Sequence, residues 1–411
     1  MKSIEFTINK LQKLEPGLGA SLADFSGQTA ETVLAYHKGF DEYAPTPLSS
    51  LPGLAKTLGV EKIWLKDESK RFGLNAFKVL GGSYAMGRLM AEKLGLDLEK
   101  VGWAGVSSLE ARKKAGQVVF VTATDGNHGR GVAWTAMKLG QRAVVFMPKG
   151  SAEIRAKNIR AAGAECSITE LNYDEAVRLA DKYAAEHGGT MVQDTAWPGY
   201  EDIPRWIMQG YMTLAQECLG QLGDEIPTHL FLQAGVGSFA GAVLGRFKSA
   251  LGDKCPTTVI VEPHQANCLY QSLLAADGEP RQVGGEMRTI MAGLACGEPS
   301  VLSWPVIRDY ASAAVSCDDF VAANGMRLLA SPQGGDEPIV SGESGAVTAG
   351  LLEYVLSSSN GQELASRIGL NEKSRVLLIS TEGDTSPDMY REIVWHGHKN
   401  QPLAENPDFR P

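Results

Sequence analysis

The chain has 411 residues, 44% of them hydrophobic and 21% charged. That length holds two or three folding units of roughly 100–200 residues, and the apolar content rules out an extensively disordered protein. Lys and Arg number 39 against 48 Asp and Glu, and the net charge of −9 argues against a broad basic face for nucleic acid or anionic membrane.

The first residues, MKSIEFTINKLQKLEP, carry Glu5 inside any apolar stretch, so no secretory signal is expected. No run of 18 apolar residues occurs, so no transmembrane helix is expected. Six cysteines (Cys166, Cys218, Cys255, Cys268, Cys296, Cys317) form no CxxC pair, which fits a cytoplasmic protein with mostly reduced thiols. The seven histidines give no HExxH-type signature, and no metal is expected.

In chain order, LKDESKRFGLNAFKVLGGSYA (65–85) sets Lys78 in an apolar, helix-like context just before Gly81 and Gly82. Apolar neighbours desolvate an ammonium and free its nucleophilic amine, whereas a lysine that snorkels to solvent is the commoner case. From residue 117 strands and helices alternate. QVVFVTAT, RAVVFMP, AECSITE and GTMVQD read as strands, and GNHGRGVAWTAMKLG, SAEIRAKNIRAAG and YDEAVRLADKYAAEHG as helices. Ser151 is the expected N-cap of the second helix, and Gly163 lies beyond its end. This series predicts an open, parallel, right-handed sheet with helices on both faces. The segment 204–222 predicts a long amphipathic helix. A second series follows: THLFLQAG, the helix SFAGAVLGRFKSALG, the strand TTVIVEP, helices near 266–276, 318–330 and 344–357, and a last strand SRVLLIST (374–381). Two closely packed α/β units are expected, with a ligand crevice at the carboxyl ends of their strands.

LQAGVGSFAG (232–241) joins a strand to a helix. Gly235 and Gly237 allow close backbone approach, and the N–H groups at the helix start suit a phosphate. The same loop mimics a dinucleotide fingerprint, because Glu262 follows Gly241 by 21 positions at the end of TTVIVE, where a ribose-binding acid stands in nicotinamide-dependent dehydrogenases. A tight turn without a ligand is the third reading.

Taken together, NAFKVLGGSYA, TDGNHGRG, AGVGSFAG and STEGDT resemble the motifs of fold-type II pyridoxal-phosphate enzymes, the group of threonine dehydratase, tryptophan synthase β and cysteine synthase. They occur in family order over nearly the whole chain. Within the group KDESKRFGLNAFK, TATDGNHGRGVAW, QDTAW, IMAGLACGEP and SGESGAV resemble the ammonia-lyases that act on 2,3-diaminopropionate. The resemblance implies two open, mainly parallel twisted sheets: a large cofactor-binding domain of residues 1–84 and 206–411, and a small mobile domain of residues 85–205.

It also implies site residues. Lys78 matches the Schiff-base lysine and is the base toward the L isomer. Asp125, at a position held by serine in related enzymes, is a base on the opposite face for the D isomer, or else an N-cap of the helix that follows. Asn127 matches the partner of the cofactor's phenolic oxygen. Backbone amides of 125–129, Gly126 among them, would hold the substrate carboxylate, with His128 at the pocket wall. Asp194 would face the substrate's amines or cap a turn. Gly235, Val236, Gly237 and Ser238 match the phosphate loop, and Ser380 or Thr381 the pyridine-nitrogen partner. A hydroxyl there leaves that nitrogen less firmly protonated than an aspartate would. The implied reaction is α,β-elimination of D- or L-2,3-diaminopropionate to pyruvate and two ammonia, in a homodimer. Serine or threonine dehydration is the near alternative.

Overall fold

The computed structural model describes residues 3–13, 17–124 and 126–400. Eleven strands are found among them: β1 (Ile4–Ile8), β2 (Leu48–Ser50), β3 (Lys62–Asp67), β4 (Val119–Ala123), β5 (Arg142–Met147), β6 (Glu165–Ile168), β7 (Thr190–Met191), β8 (His229–Gln233), β9 (Thr257–Pro263), β10 (Ala313–Cys317) and β11 (Arg375–Ser380). They form two sheets. The smaller has the order β6-β5-β4-β7 with every pair parallel, and the larger the order β1-β10-β9-β8-β11-β3-β2. In the larger sheet β10, β9, β8, β11 and β3 run parallel, and the edge strands β1 and β2 are antiparallel to their neighbours.

Local chemistry explains the elements. The residues of β8 are buried throughout, and those of β9 nearly so, as in a parallel sheet covered on both faces. The helix Tyr173–His187 begins with a reciprocal capping box between Asn172 and Glu175. The helix Asn127–Leu139 stops at Gly140, whose φ of +67° suits a glycine C-cap. The expected cap at Ser151 is not formed. The second helix runs Glu153–Ala161 from Ala152 with no side-chain cap, because the chain turns at 148–151 and enters the helix two residues later.

Strands β1, β2, β3 and β10 were not among the sequence expectations. Ala313–Cys317 is mostly alanine and serine, poor strand formers, and is held extended by β9 on one side and β1 on the other. The expected domain borders at 84/85 and 205/206 fall inside the helices Val79–Leu94 and Asp202–Leu222.

The polar stretch KDESKR is interior except for Lys70. Lys66, Glu68 and Arg71 are fully buried, and Lys66 and Arg71 meet Glu217 of the helix Asp202–Leu222. Lys66 Nζ donates to Glu217 Oε2 at 2.7 Å, and Arg71 Nη2 to both Glu68 Oε1 and Glu217 Oε2 at 2.8 Å. Burial opposes the charge of Glu217, but Arg71 and Lys66 outweigh it and bring its carboxyl down to about 2. This cluster fixes the segment that leads into Lys78. Among the described residues no helix is long and apolar enough to cross a membrane, and no disulfide is formed.

Candidate active site

Between the sheets lies a cavity of roughly 1080 Å³. Four helices begin at its wall: Val79–Leu94 with Lys78 as N-cap, Asn127–Leu139, Ser238–Leu251 and Glu343–Ser357. Their partial positive ends make the cavity receptive to anions.

The glycine loop follows β8, the middle strand of the large sheet, where the connections diverge to either side. No acceptor among the described residues takes the N–H groups of Gly235, Val236, Gly237 or Ser238. The Val236 carbonyl accepts from the Ser300 N–H and Ser303 Oγ, both at 2.9 Å, which pins the loop from behind. Gly237 has φ +93°, and a Cβ on it would lie 2.7 Å from Ser303 Oγ. A preorganised row of unpartnered amides at a helix start fits a phosphate.

Lys78 Nζ donates to Asp194 Oδ2 at 2.8 Å. Asp194 follows β7 of the small sheet, and its carbonyl accepts from Ser238 Oγ at 2.8 Å, so the acid is tied to both the lysine and the glycine loop. Burial works against its charge, yet Lys78 and His128 prevail and bring its carboxyl down to about 2.

The cavity gathers Lys78, Asn127, Asp194, Gly235–Ser238 and Thr381 from distant parts of the chain. His128 is not on its wall; His128 Nε2 donates to the Val192 carbonyl at 2.8 Å and braces the turn that carries Asp194. Ser380 lies beneath the wall, its Oγ 2.7 Å from Ser341 Oγ, whereas Thr381 faces the cavity. The N–H groups of Gly126 and Gly129 donate to Thr124 Oγ1 at 3.0 and 3.2 Å, so two of the amides expected to hold a carboxylate serve the turn instead. Asp125 lies outside the described residues.

Five residues of the wall were not singled out from the sequence. Glu382 accepts from Asn127 Nδ2 and from the Ser344 N–H. Glu343 stands in the same wall, where burial and then the charge of Glu382 push its carboxyl up to about 7. Gln233 and Tyr211 each carry a buried oxygen with no hydrogen-bond partner, as does Ser344. Both glutamates fall inside quoted motifs, STEGDT and SGESGAV, but nothing in one dimension shows that they face each other.

Glu262 excludes the dehydrogenase reading of the glycine loop. It is fully buried and away from the cavity, and it accepts from the N–H groups of Leu269 and Tyr270 at 3.0 and 2.6 Å, capping the helix Cys268–Ala275. Its carboxyl is therefore not available to a ribose hydroxyl at the loop.

A lysine beside a phosphate cradle, at the strand ends of a doubly wound sheet, is the arrangement of an enzyme that carries a phosphorylated aldehyde on its amine. The partnerless oxygens of Gln233, Tyr211 and Ser344 and the open loop amides fit such a polar guest. The chain belongs to the pyridoxal-phosphate dependent enzyme family, whose model matches residues 40–382, and pyridoxal phosphate is its cofactor. It is 56% identical over 398 residues to a diaminopropionate ammonia-lyase of Salmonella typhimurium strain LT2, covering 96% of this chain and 98% of that one. The crystal structure of diaminopropionate ammonia lyase from Escherichia coli in complex with D-serine superposes with a TM-score of 0.90 at 47% identity, covering 96% of this chain and 98% of that one. The same enzyme in complex with an aminoacrylate–PLP azomethine reaction intermediate gives 0.87 at 47% identity, covering 97% and 98%.

Proposed function

We propose that this protein eliminates ammonia from D- and L-2,3-diaminopropionate and releases pyruvate and a second ammonia. The observation that carries the reading is the ionised Asp194 beside Lys78: a carboxylate at the reacting amine suits a substrate with a second, cationic amine. The similarity to diaminopropionate ammonia-lyases supports it.

When bound, pyridoxal phosphate supplies an electron sink for the charge left at Cα. Lys78 holds it through Nζ, and the loop Gly235–Ser238 holds its phosphate through backbone N–H groups and the helix dipole. Asn127 would hold its phenolic oxygen and Thr381 its ring nitrogen. Lys78 takes the Cα proton of the L isomer and Asp125 that of the D isomer. Asp194 binds the second ammonium and orients it for departure. One water enters overall, so that diaminopropionate and water give pyruvate and two ammonia. The unit of residues 85–205 closes on the larger unit of residues 1–84 and 206–411 and excludes water from the crevice. The protein works as a cytoplasmic homodimer, which sedimentation of the holoenzyme tests.

The direct test is product analysis. Both isomers should yield one pyruvate and two ammonia each, and borohydride should fix the visible chromophore on Lys78. A colourless protein, or Lys78→Ala with undiminished turnover, overturns the reading.

A further inference from the structure

The hydrogen bonds around Thr381 have a fixed direction. Strands β8 and β11 pair in parallel, so Gln233 at the end of one stands beside Ile379, Ser380 and Thr381 at the end of the other. One terminal atom of the Gln233 amide lies 2.9 Å from the Ile379 carbonyl oxygen. A backbone carbonyl only accepts, so that atom is the nitrogen and not the oxygen. The same nitrogen lies 3.0 Å from Thr381 Oγ1, so its second hydrogen is donated to the threonine. Thr381 Oγ1 therefore accepts from Gln233 and must send its own proton elsewhere. No acceptor among the described residues takes that proton, and Thr381 is on the cavity wall. Gln233 and Thr381 are 1% and 3% exposed, so water does not reorient the pair freely.

We propose that Gln233 is a positioning residue that holds the Thr381 hydroxyl as a donor toward the cavity, so that the atom received there is an acceptor, an aromatic ring nitrogen without a proton. The inference rests on the reading that the cofactor's ring nitrogen faces Thr381, and deepens it by naming the residue that sets the protonation state. An unprotonated ring withdraws less charge from the reacting carbon. That favours loss of the β-amine over return of the α-proton, and so elimination over racemisation.

The test uses holoenzyme loaded with pyridoxal phosphate carrying ¹⁵N in the ring. Wild type should show the resonance of an unprotonated pyridine nitrogen, and a protonated one overturns the proposal without any variant. Thr381→Val should release the cofactor about five- to tenfold more readily and shift the resonance, as loss of one buried hydrogen bond implies. Gln233→Leu should shift it too, and the double variant should lose no more than Thr381→Val alone, because Gln233 acts only through the threonine. A shifted Thr381→Val with an unshifted Gln233→Leu, or additive losses in the double variant, overturns the role of Gln233 alone. An unchanged Thr381→Val takes the ring nitrogen away from Thr381 and removes the reading beneath it.

Discussion

The Lys78 ammonium and the Asp194 carboxylate form a 2.8 Å ion pair between the start of the helix Val79–Leu94 and the loop after the last strand of the small sheet. The pair spans the two sheets, so the amine chemistry depends on how the small sheet sits against the large one. Asp194→Asn keeps the shape and removes the charge. It should lower kcat/KM for diaminopropionate about 10- to 100-fold, the worth of a charge-assisted hydrogen bond, and lower it less for D-serine. Because the carboxyl of Asp194 is held down to about 2, its charged-state contribution is present above the ordinary 3.8 and lost only as pH falls through about 2. The variant should therefore leave every limb of the pH–rate profile above pH 4 in place.

Gly237→Ala tests the phosphate cradle. The residue has φ +93°, which costs a side chain about 1–2 kcal/mol, and the added methyl would meet Ser303 Oγ at 2.7 Å. The variant should retain pyridoxal phosphate more than about tenfold less well, because a loop shift misdirects several amides at once. Cofactor absorbance after dialysis measures it.

Glu262 gives the fold a pH signature away from the site. Burial pushes its carboxyl from 4.5 up to about 8, against the pull of two backbone N–H groups. Between those two values the folded protein binds a proton that the unfolded chain has released. This contribution to stability is thus complete below 4.5 and is lost as pH rises through about 8, with a slope of at most about 1.4 kcal/mol per pH unit. Glu262→Gln should flatten denaturant-derived stability against pH over that interval, whereas an unchanged slope would place the proton elsewhere.

Glu343 gives the cavity a carboxyl pushed up toward neutrality. Burial and the neighbouring Glu382 raise Glu343 to about 7, and Arg155 pulls it back. Difference infrared spectra should show a protonated carboxyl that disappears in Glu343→Gln. In Glu382→Gln its midpoint should move to lower pH, because the repelling charge is gone.

These residues show where a sequence stops being legible. The strand β9 could be read to the residue, since TTVIVEP opens on five β-branched residues in a row. Lys78 and the glycine loop were legible because their chemistry is local: a lysine among apolar neighbours, and glycines before a helix. Strand β10 was not, because Ala313–Cys317 owes its extension to β9 and β1. The pair Asn127 and Glu382 is 255 residues apart in the chain, and Gln233 and Thr381 are 148 apart. Such contacts exist only once the sheets have stacked the strand ends. The charged KDESKR stretch looks like surface in one dimension, yet all of it but Lys70 is core, because Glu217 arrives from a helix well over 100 residues away to neutralise Lys66 and Arg71.

The measurement closest to the central claim is kcat/KM of the holoenzyme for D- and L-2,3-diaminopropionate, D-serine and threonine, followed as pyruvate or 2-oxobutanoate. Diaminopropionate should be the best substrate in both configurations, with Lys78→Ala inactive toward all four and Asp125→Asn impaired chiefly toward the D isomer. Threonine or D-serine turned over faster than either diaminopropionate isomer would contradict the account.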